Sequence, residues 1–474
     1  MNPHRTDGRS ADPWRAFGAR LRQWRRLAGL TQARLGAEVG YDHTAISRLE
    51  NGTRRATLHL AHRLDALLAA GGDLLAACRA AEDWDLGGPP PPPGSVRAPL
   101  PAITTARGEP PQPPPPDALP ARLPAHGLLC PLHGAAGCDV PPPAETAALH
   151  AAFCAAEPGS PRAVAEDTLH ALAGLLAVHL RTGEDRCHPG TAAAVEHTLR
   201  ALARHLALTP GRTGRPLARL AAEYAHAAGG LRLQHGRSAT AMACFDRALT
   251  WSELAGDPVT QVAALGDMST LARLEGDAAS ALGYAREIGR AAPDRHWAGA
   301  IAQVYQARAH ALGGDLRETV RHIGRARLHL DHLGAGEEAD VPWLSEASMQ
   351  LRVESAAAAA LRDAAATLGD RRLALRAADA ARTALRLLGP QQLPATRLLF
   401  TLRIADCHLC AHDPHSALAL LGPALEGVEG EVPALVGHEL RGLATRLAAQ
   451  RRHSPQLAAA ARLTATLARR TPAG

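Results

Sequence analysis

Apolar residues recur three and four positions apart over most of the chain, the spacing that puts them on one side of an α-helix. The segment WRAFGARLRQWRRLAGL sets Phe17, Leu21, Trp24 and Leu27 on one stripe, with arginines opposite. Asp12-Pro13 reads as its N-cap and first turn, and Gly29 closes it. Thr31 then caps QARLGAEV, which Gly40 stops, and Asp42 caps HTAISRLEN, ended by Asn51-Gly52. Thr57 starts LHLAHRLDALLAAGG, and Asp73 caps a fifth helix. Ile46 and Leu49 fall on the core side of the third.

Downstream the pattern changes twice. Residues 86–145 lose helical spacing and hold 19 of the 36 prolines, including PPPPP at 89–93 and PPPP at 113–116. Such sequence favours extended polyproline conformation, about 3.1 Å per residue, and predicts a disordered, semi-rigid linker. From 146 to 474 helical spacing resumes, with no strand alternation and no Asn-Gly hairpin. This stretch also repeats. The turns Gly236, Gly276, Gly314, Gly369 and His412 are followed five positions on by Ala241, Ala281, Thr319, Ala374 and Ala417. Twelve positions on stand Ala248, Ile288, Ala326, Ala381 and Ala424. Small side chains at matching positions let helix pairs stack closely.

Length agrees with several units, since 474 residues at about 150 per domain give roughly three. The 46% hydrophobic and 21% charged residues are ordinary for a chain that folds in water. All 52 basic side chains are arginine in an alanine-rich chain, a compositional bias that makes arginine abundance weak evidence of function. The distribution of charge says more. Met1–Ala70 holds twelve arginines against six acids, a surplus equal to the net +6 of the whole chain. A basic unit joined to a neutral one points to a polyanion as the partner of the first. No apolar run reaches the roughly 18–20 residues of a membrane span, and the first residues lack a signal-peptide core. Eight cysteines are too dilute for a disulfide scaffold, so reduced thiols and a cytoplasmic location are expected. No phosphate-cradling glycine loop, His-Glu-x-x-His or nucleophile elbow occurs; neither an enzyme nor a cofactor is expected.

The run LRQWRRLAGLTQARLGAEVGYDHTAISRLENGTRR resembles the lambda-repressor-like (XRE-type) helix-turn-helix DNA-binding family, from Phe17 to Leu75. The resemblance implies that the third helix lies in the major groove, with His43 and Thr44 reading base edges and Arg48 a guanine or a phosphate. It implies that Gln32 clamps a phosphate and braces the reading helix, and that Asn51, Arg54 and Arg55 hold the DNA backbone. Arg25 and Glu50 resemble a structural ion pair. Gly36 replaces the family's usual alanine and Ala56 a frequent proline; a mid-helix glycine costs up to about 1 kcal/mol, so slight loosening is expected. Relatives bind pseudo-palindromes as dimers, half-sites about 34–36 Å apart, which implies a homodimer on double-stranded DNA.

The repeats resemble the tetratricopeptide family, whose helix pairs stack into a solenoid with a concave face. That geometry places Glu223, His226, Thr270, Arg273, Arg308, Asp363 and Asp406 on the inner face, Arg273 and Arg308 suiting an anionic ligand or partner carboxylate. The combination resembles peptide-sensing regulators of Gram-positive bacteria and actinobacterial XRE-type proteins with degenerate tetratricopeptide tails. Asparagine occurs only at Asn2 and Asn51, which argues against a backbone-gripped peptide.

The fold expected is all-α: a DNA-binding domain at 1–85, a linker at 86–145, and a helical array at 146–474 that dimerises, senses a peptide or small molecule, or recruits a protein. The alternative function is an interaction scaffold with a low-specificity DNA anchor. No metal site is assigned. Cys130-x2-His133-x4-Cys138, with His126 upstream, offers zinc-type ligands, yet 24 histidines make chance neighbours common. Cys407 and Cys410, near His412 and His415, read as packing residues within a helix.

Overall fold

The computed structural model describes residues 13–85 and 118–471, except 29, 69, 71, 158–164, 187–188, 210–213, 335, 338–340, 342–345, 389–393, 427, 429, 451 and 453. Asp12, Gly29, the side chain of Leu27 and both proline runs lie outside the described residues. The chain divides into two compact units between Ala106 and Arg107.

The first unit holds α1 (Pro13–Leu27), α2 (Gln32–Val39), α3 (His43–Glu50), α4 (Leu58–Leu67) and α5 (Asp73–Asp85). Side-chain caps set three of the starts, because the first N–H groups of a helix have no partner within it. The Arg34 N–H donates to Thr31 Oγ1 at 3.1 Å, Ala45 N–H to Asp42 Oδ1 at 2.6 Å, and Leu60 N–H to Thr57 Oγ1 at 3.1 Å. Asp73 is the first residue of α5, where its carboxylate accepts from Arg20 at 2.7 Å and from the Trp24 indole at 2.9 Å. Phe17, Leu21, Leu35, Ile46, Leu49, Leu64 and Leu74 form the core, all fully buried. Each contributes about 1.5–3 kcal/mol by leaving water.

Two glycines let these helices approach. A Cβ on Gly18 of α1 would lie 2.5 Å from the carbonyl oxygens of both Leu49 and Glu50, so α1 rests directly on the end of α3. A Cβ on Gly36 would lie 2.4 Å from the Tyr41 carbonyl oxygen. The expected loosening at Gly36 is therefore corrected: the glycine permits the tight turn between α2 and α3.

The second unit begins with a two-stranded antiparallel sheet, β1 (Arg122–Leu123) and β2 (Cys138–Asp139), paired Leu123 to Cys138. The linker expected over 86–145 is corrected over its last part. Leu123, Leu128, Cys130, Cys138 and Val140 are buried in one cluster with Phe153, Leu169, Leu172 and Leu176. These apolar residues, spaced among the prolines, give the segment enough buried surface to fold.

Helices follow to the end: α6 (Pro143–Ala155), α7 (Glu166–Arg186), α8 (Pro189–Leu206), α9 (Arg215–Gln234), α10 (Ser238–Ala255), α11 (Pro258–Leu274), α12 (Ala278–Ala291), α13 (His296–Leu312) and α14 (Leu316–Leu330). Then come α15 (Glu346–Leu368), α16 (Arg371–Leu387), α17 (Pro394–Cys410), α18 (Pro414–Glu426), α19 (Ala434–Gln450) and α20 (Pro455–Ala468). From α9 on, successive helices pack as antiparallel pairs. The first five pairs share one turn. Gly236, Gly276, Gly314, Gly369 and His412 all have positive φ, between 58° and 79°. The next N–H reaches back five residues, Asp277 to Ala272 and Asp413 to His408 for example, closing the preceding helix in a Schellman turn. In four of them that residue is aspartate, whose carboxylate caps the following helix. Ala241, Ala281, Thr319, Ala374 and Ala417 are all buried at the matching position; Ala424, at the other, is half-buried.

Gly18→Ala would favour α1 by up to about 1 kcal/mol through helix propensity. Forcing α1 off α3 costs about 1–3 kcal/mol. The variant is expected to be destabilised in the first unit, read as faster amide hydrogen exchange over α1 and α3 in the full chain. Exchange as slow as in the wild type would show that the two helices can separate freely.

Candidate nucleic-acid interface

Burial of Ala45, Ile46 and Leu49 fixes which side of α3 faces inward. His43, Thr44 and Arg48 are left exposed on the other side. Thr44 and Arg48 are four residues apart and so share one face of the helix. After α3 the chain folds back, with Thr53 and Arg54 N–H donating to the Arg48 carbonyl at 3.0 and 3.2 Å. This turn carries Arg54 over the Tyr41 ring, 5.2 Å from its centroid, and leaves Arg55 exposed. The residues expected to read bases and to hold the backbone thus lie along one short stretch around α3.

The end of α3 is held by charge. The Glu50 side chain is fully buried. Arg25 donates to it from Nε at 2.5 Å and from Nη2 at 3.1 Å, and gives Nη1 to the Leu30 carbonyl at 2.8 Å. Gln32 Nε2 donates to the same carboxylate at 2.8 Å. Arg22, which the sequence reading passed over, donates to Glu50 Oε2 at 3.3 Å and to Asn51 Oδ1 at 2.6 Å. Its spacing of three from Arg25, on one face of α1, was the available signal. Burial alone would push the Glu50 carboxyl up. Hydrogen bonds from Arg25 and Gln32, the Arg25 charge and the Arg22 bond outweigh that and hold it below the usual carboxylate range. Gln32 therefore braces α3 through Glu50, and Asn51 is oriented by Arg22.

In the second unit, charged side chains line the helix pairs, several of them buried. His226 on α9 meets Asp267 on α11 at 2.9 Å. Burial pushes the Glu223 carboxyl up to about 8, with Arg219 opposing. Arg362 on α15 pairs with Asp363 at 2.6 Å, with Asp406 on α17 at 3.4 Å and with Glu439 on α19. Arg403 adds a bond to Glu439 at 2.8 Å, and Arg446 holds Asp406. Asp363, Asp406 and Glu439 are thus paired, whereas Glu223 Oε2 is buried without a hydrogen-bond partner among the described residues. Arg273 on α11 and Arg308 on α13 differ from Arg362 and Arg403: the Nε of each is buried and meets no hydrogen-bond acceptor among the described residues. Burial, together with Arg362 and Arg403 for Arg273 and with Arg273 and Arg403 for Arg308, pushes both guanidinium groups downward, against Asp363. Thr270 is buried one turn before Arg273 on α11.

Cys130, His133, Cys138 and His170 form a further cluster, their ligating atoms within 4.8 Å of one another. His126 is not a member. It occupies a turn with φ of 50°, and His170 from α7 supplies the fourth group in its place. Cys407 is buried in the helical core, and Cys410 packs against it.

Residues 16–78 match a family model described as a helix-turn-helix domain. No curated protein matches the chain. The chain is therefore all-α, with an N-terminal helix-turn-helix domain, a DNA-binding module, ahead of a long helical region. No described helix is long and apolar enough to cross a membrane.

Because Glu50 titrates lower in the folded state, its contribution is present above about pH 4.3 and lost as pH falls through the depressed value. Glu50→Gln leaves Arg25 without its charge partner. It is expected to destabilise the first unit by about 3 kcal/mol at neutral pH, with the gap from wild type closing in acid. Urea titrations at several pH values, read by hydrogen exchange in α1–α3, check this. A gap independent of pH would show that Glu50 is not the titrating clasp.

Proposed function

We propose that this chain is a sequence-specific, homodimeric transcriptional regulator of the XRE type, working in the cytoplasm, whose tetratricopeptide-like array pairs the protomers and senses an anionic ligand or partner. The observation that carries the reading is the division of α3. One side and its end are locked, while His43, Thr44 and Arg48 project together on the other.

An α-helix enters the major groove, where each base pair presents its own pattern of donors and acceptors. His43 and Thr44, at the start of α3, read base edges, and Arg48 one turn on takes a guanine or a phosphate. The Gln32 amide has a second hydrogen beyond the one given to Glu50, and a phosphate accepts it. Asn51, Arg54 and Arg55 hold the DNA backbone and set register without reading sequence. Two such modules, half-sites about 34–36 Å apart, span a pseudo-palindrome.

The repeated turn and the buried small residues support the tetratricopeptide-like reading of the array. Arg273 and Arg308, with unsatisfied Nε groups, favour an anion over a neutral ligand. Such a ligand regulates by preferring one arrangement of the two DNA modules.

For a duplex enriched from a random pool, the full-length protein should bind at least about a thousandfold more tightly than to an unrelated duplex. His43→Ala should shrink that ratio. Arg55→Ala should weaken both complexes together and reduce the salt slope by about one. A wild-type ratio near unity would overturn the regulator and leave a scaffold with a low-specificity DNA anchor.

A further inference from the structure

We infer that Cys130, His133, Cys138 and His170 form a structural zinc site that clamps the segment between β1 and β2 onto α7. The four side chains supply two sulfur and two imidazole ligands, a set suited to tetrahedral Zn2+. In a tetrahedral site with Zn–S about 2.3 Å and Zn–N about 2.0–2.1 Å, ligand atoms stand about 3.3–3.8 Å apart. The Cys130 Sγ to His133 Nδ1 distance is already 3.5 Å. The other ligating atoms, all within 4.8 Å of one another, need to close by about 1.5 Å at most.

The loop is built to bring its sulfurs together. Gly134 and Gly137 both adopt positive φ, 59° and 77°. A Cβ on Gly137 would lie 2.3 Å from the Leu123 carbonyl oxygen, so the return of the chain to β2 needs glycine there. The Gly134 N–H closes the turn on the Cys130 carbonyl at 2.9 Å. Strand pairing with Leu123 then sets Cys138 in place. The His133 backbone N–H points at Cys130 Sγ, 3.3 Å away, where it would stabilise a thiolate.

Two further observations point to an ion. His170 Nε2 is buried and has no hydrogen-bond partner among the described residues, a cost that ligation or a bond to a neighbouring group would remove. His133 turns Nδ1 toward Cys130 and Nε2 toward Glu166 Oε1 at 3.5 Å. That carboxylate–histidine order is the usual outer support of a zinc ligand. Cys130 and Cys138 are both buried and unbridged, with Cys130 fully so.

A clamp answers a physical need. A sheet of two strands with two residues each has little stability of its own. Zinc would join it to α7, alongside the contact of Val140 with Gly174, where a Cβ would meet Val140 Cγ1 at 2.5 Å. Binding releases one proton from each thiol and forms two Zn–S bonds, with no change of oxidation state.

The test is elemental analysis of the full-length protein, with Co2+ exchange of the metal-depleted form as an optical probe. About one zinc per chain is expected, with tetrahedral thiolate–cobalt bands after exchange. Cys130→Ser, Cys138→Ser and His170→Ala should each lower zinc content at least tenfold, while His126→Ala leaves it unchanged. Glu166→Gln should weaken binding about tenfold. Should the serine variants fail to fold, His170→Cys serves instead: it should keep the metal and intensify the sulfur-to-cobalt band. Wild-type protein that neither carries zinc nor takes up Co2+, or that holds a Cys130–Cys138 disulfide, would overturn the assignment.

Discussion

A carboxylate removed from water must be met by donors, and the placement of α3 depends on how Glu50 is met. Three elements converge on it: Arg22 and Arg25 from α1 and Gln32 from α2, with Glu50 itself ending α3. Hydrophobic burial of Ile46 and Leu49 sets the rotation of α3 about its axis, but apolar contacts are non-directional and tolerate sliding. Bidentate hydrogen bonds from Arg25 do not. Gly18 completes the arrangement by letting α1 rest on the last carbonyls of the helix. The exposed residues of α3 therefore owe their fixed position to groups on its inner side and at its end.

The second unit solves a different problem. Its core is rich in alanine, and small side chains bury little area each, so close helix approach and repeated turn geometry carry more of the burden. One turn conformation recurs through the first five pairs, and in four of them the aspartate after it starts the next helix. Charge is then taken inside. Buried pairs contribute little net stability but cost a great deal when one partner is missing, which sets Arg273 and Arg308 apart from Arg362 and Arg403, both paired with Glu439.

Much of this was legible in the chain itself. Thr31, Asp42 and Thr57 mark starts by a local rule, and Gly40 and the array turns mark ends by another. What lay beyond reach came from contacts distant in sequence. Arg22 acts through a residue 28 positions away. The partner of the Cys130 loop is His170 on a helix rather than the adjacent His126, because the chain turns at 126 and the array brings α7 back. Residues 118–145 read as linker because they continue a stretch, 86–145, that holds 19 of the 36 prolines, while the leucines and the valine that anchor them show no helical spacing. A sixth pair, α19 with α20, went unseen because no glycine marks the turn between them. Gly36 is a separate case: propensity describes a helix alone, and the carbonyl that excludes a side chain belongs to Tyr41, in the turn after α2.

The central claim is that a locked α3 reads DNA as one half of a symmetric pair. The most direct measurement is selection of the full-length protein against a random duplex pool at two salt concentrations. The account predicts a pseudo-palindromic consensus that persists at the higher salt, with half-site centres about 34–36 Å apart along the duplex. Enrichment of no sequence beyond a background that salt abolishes would contradict it.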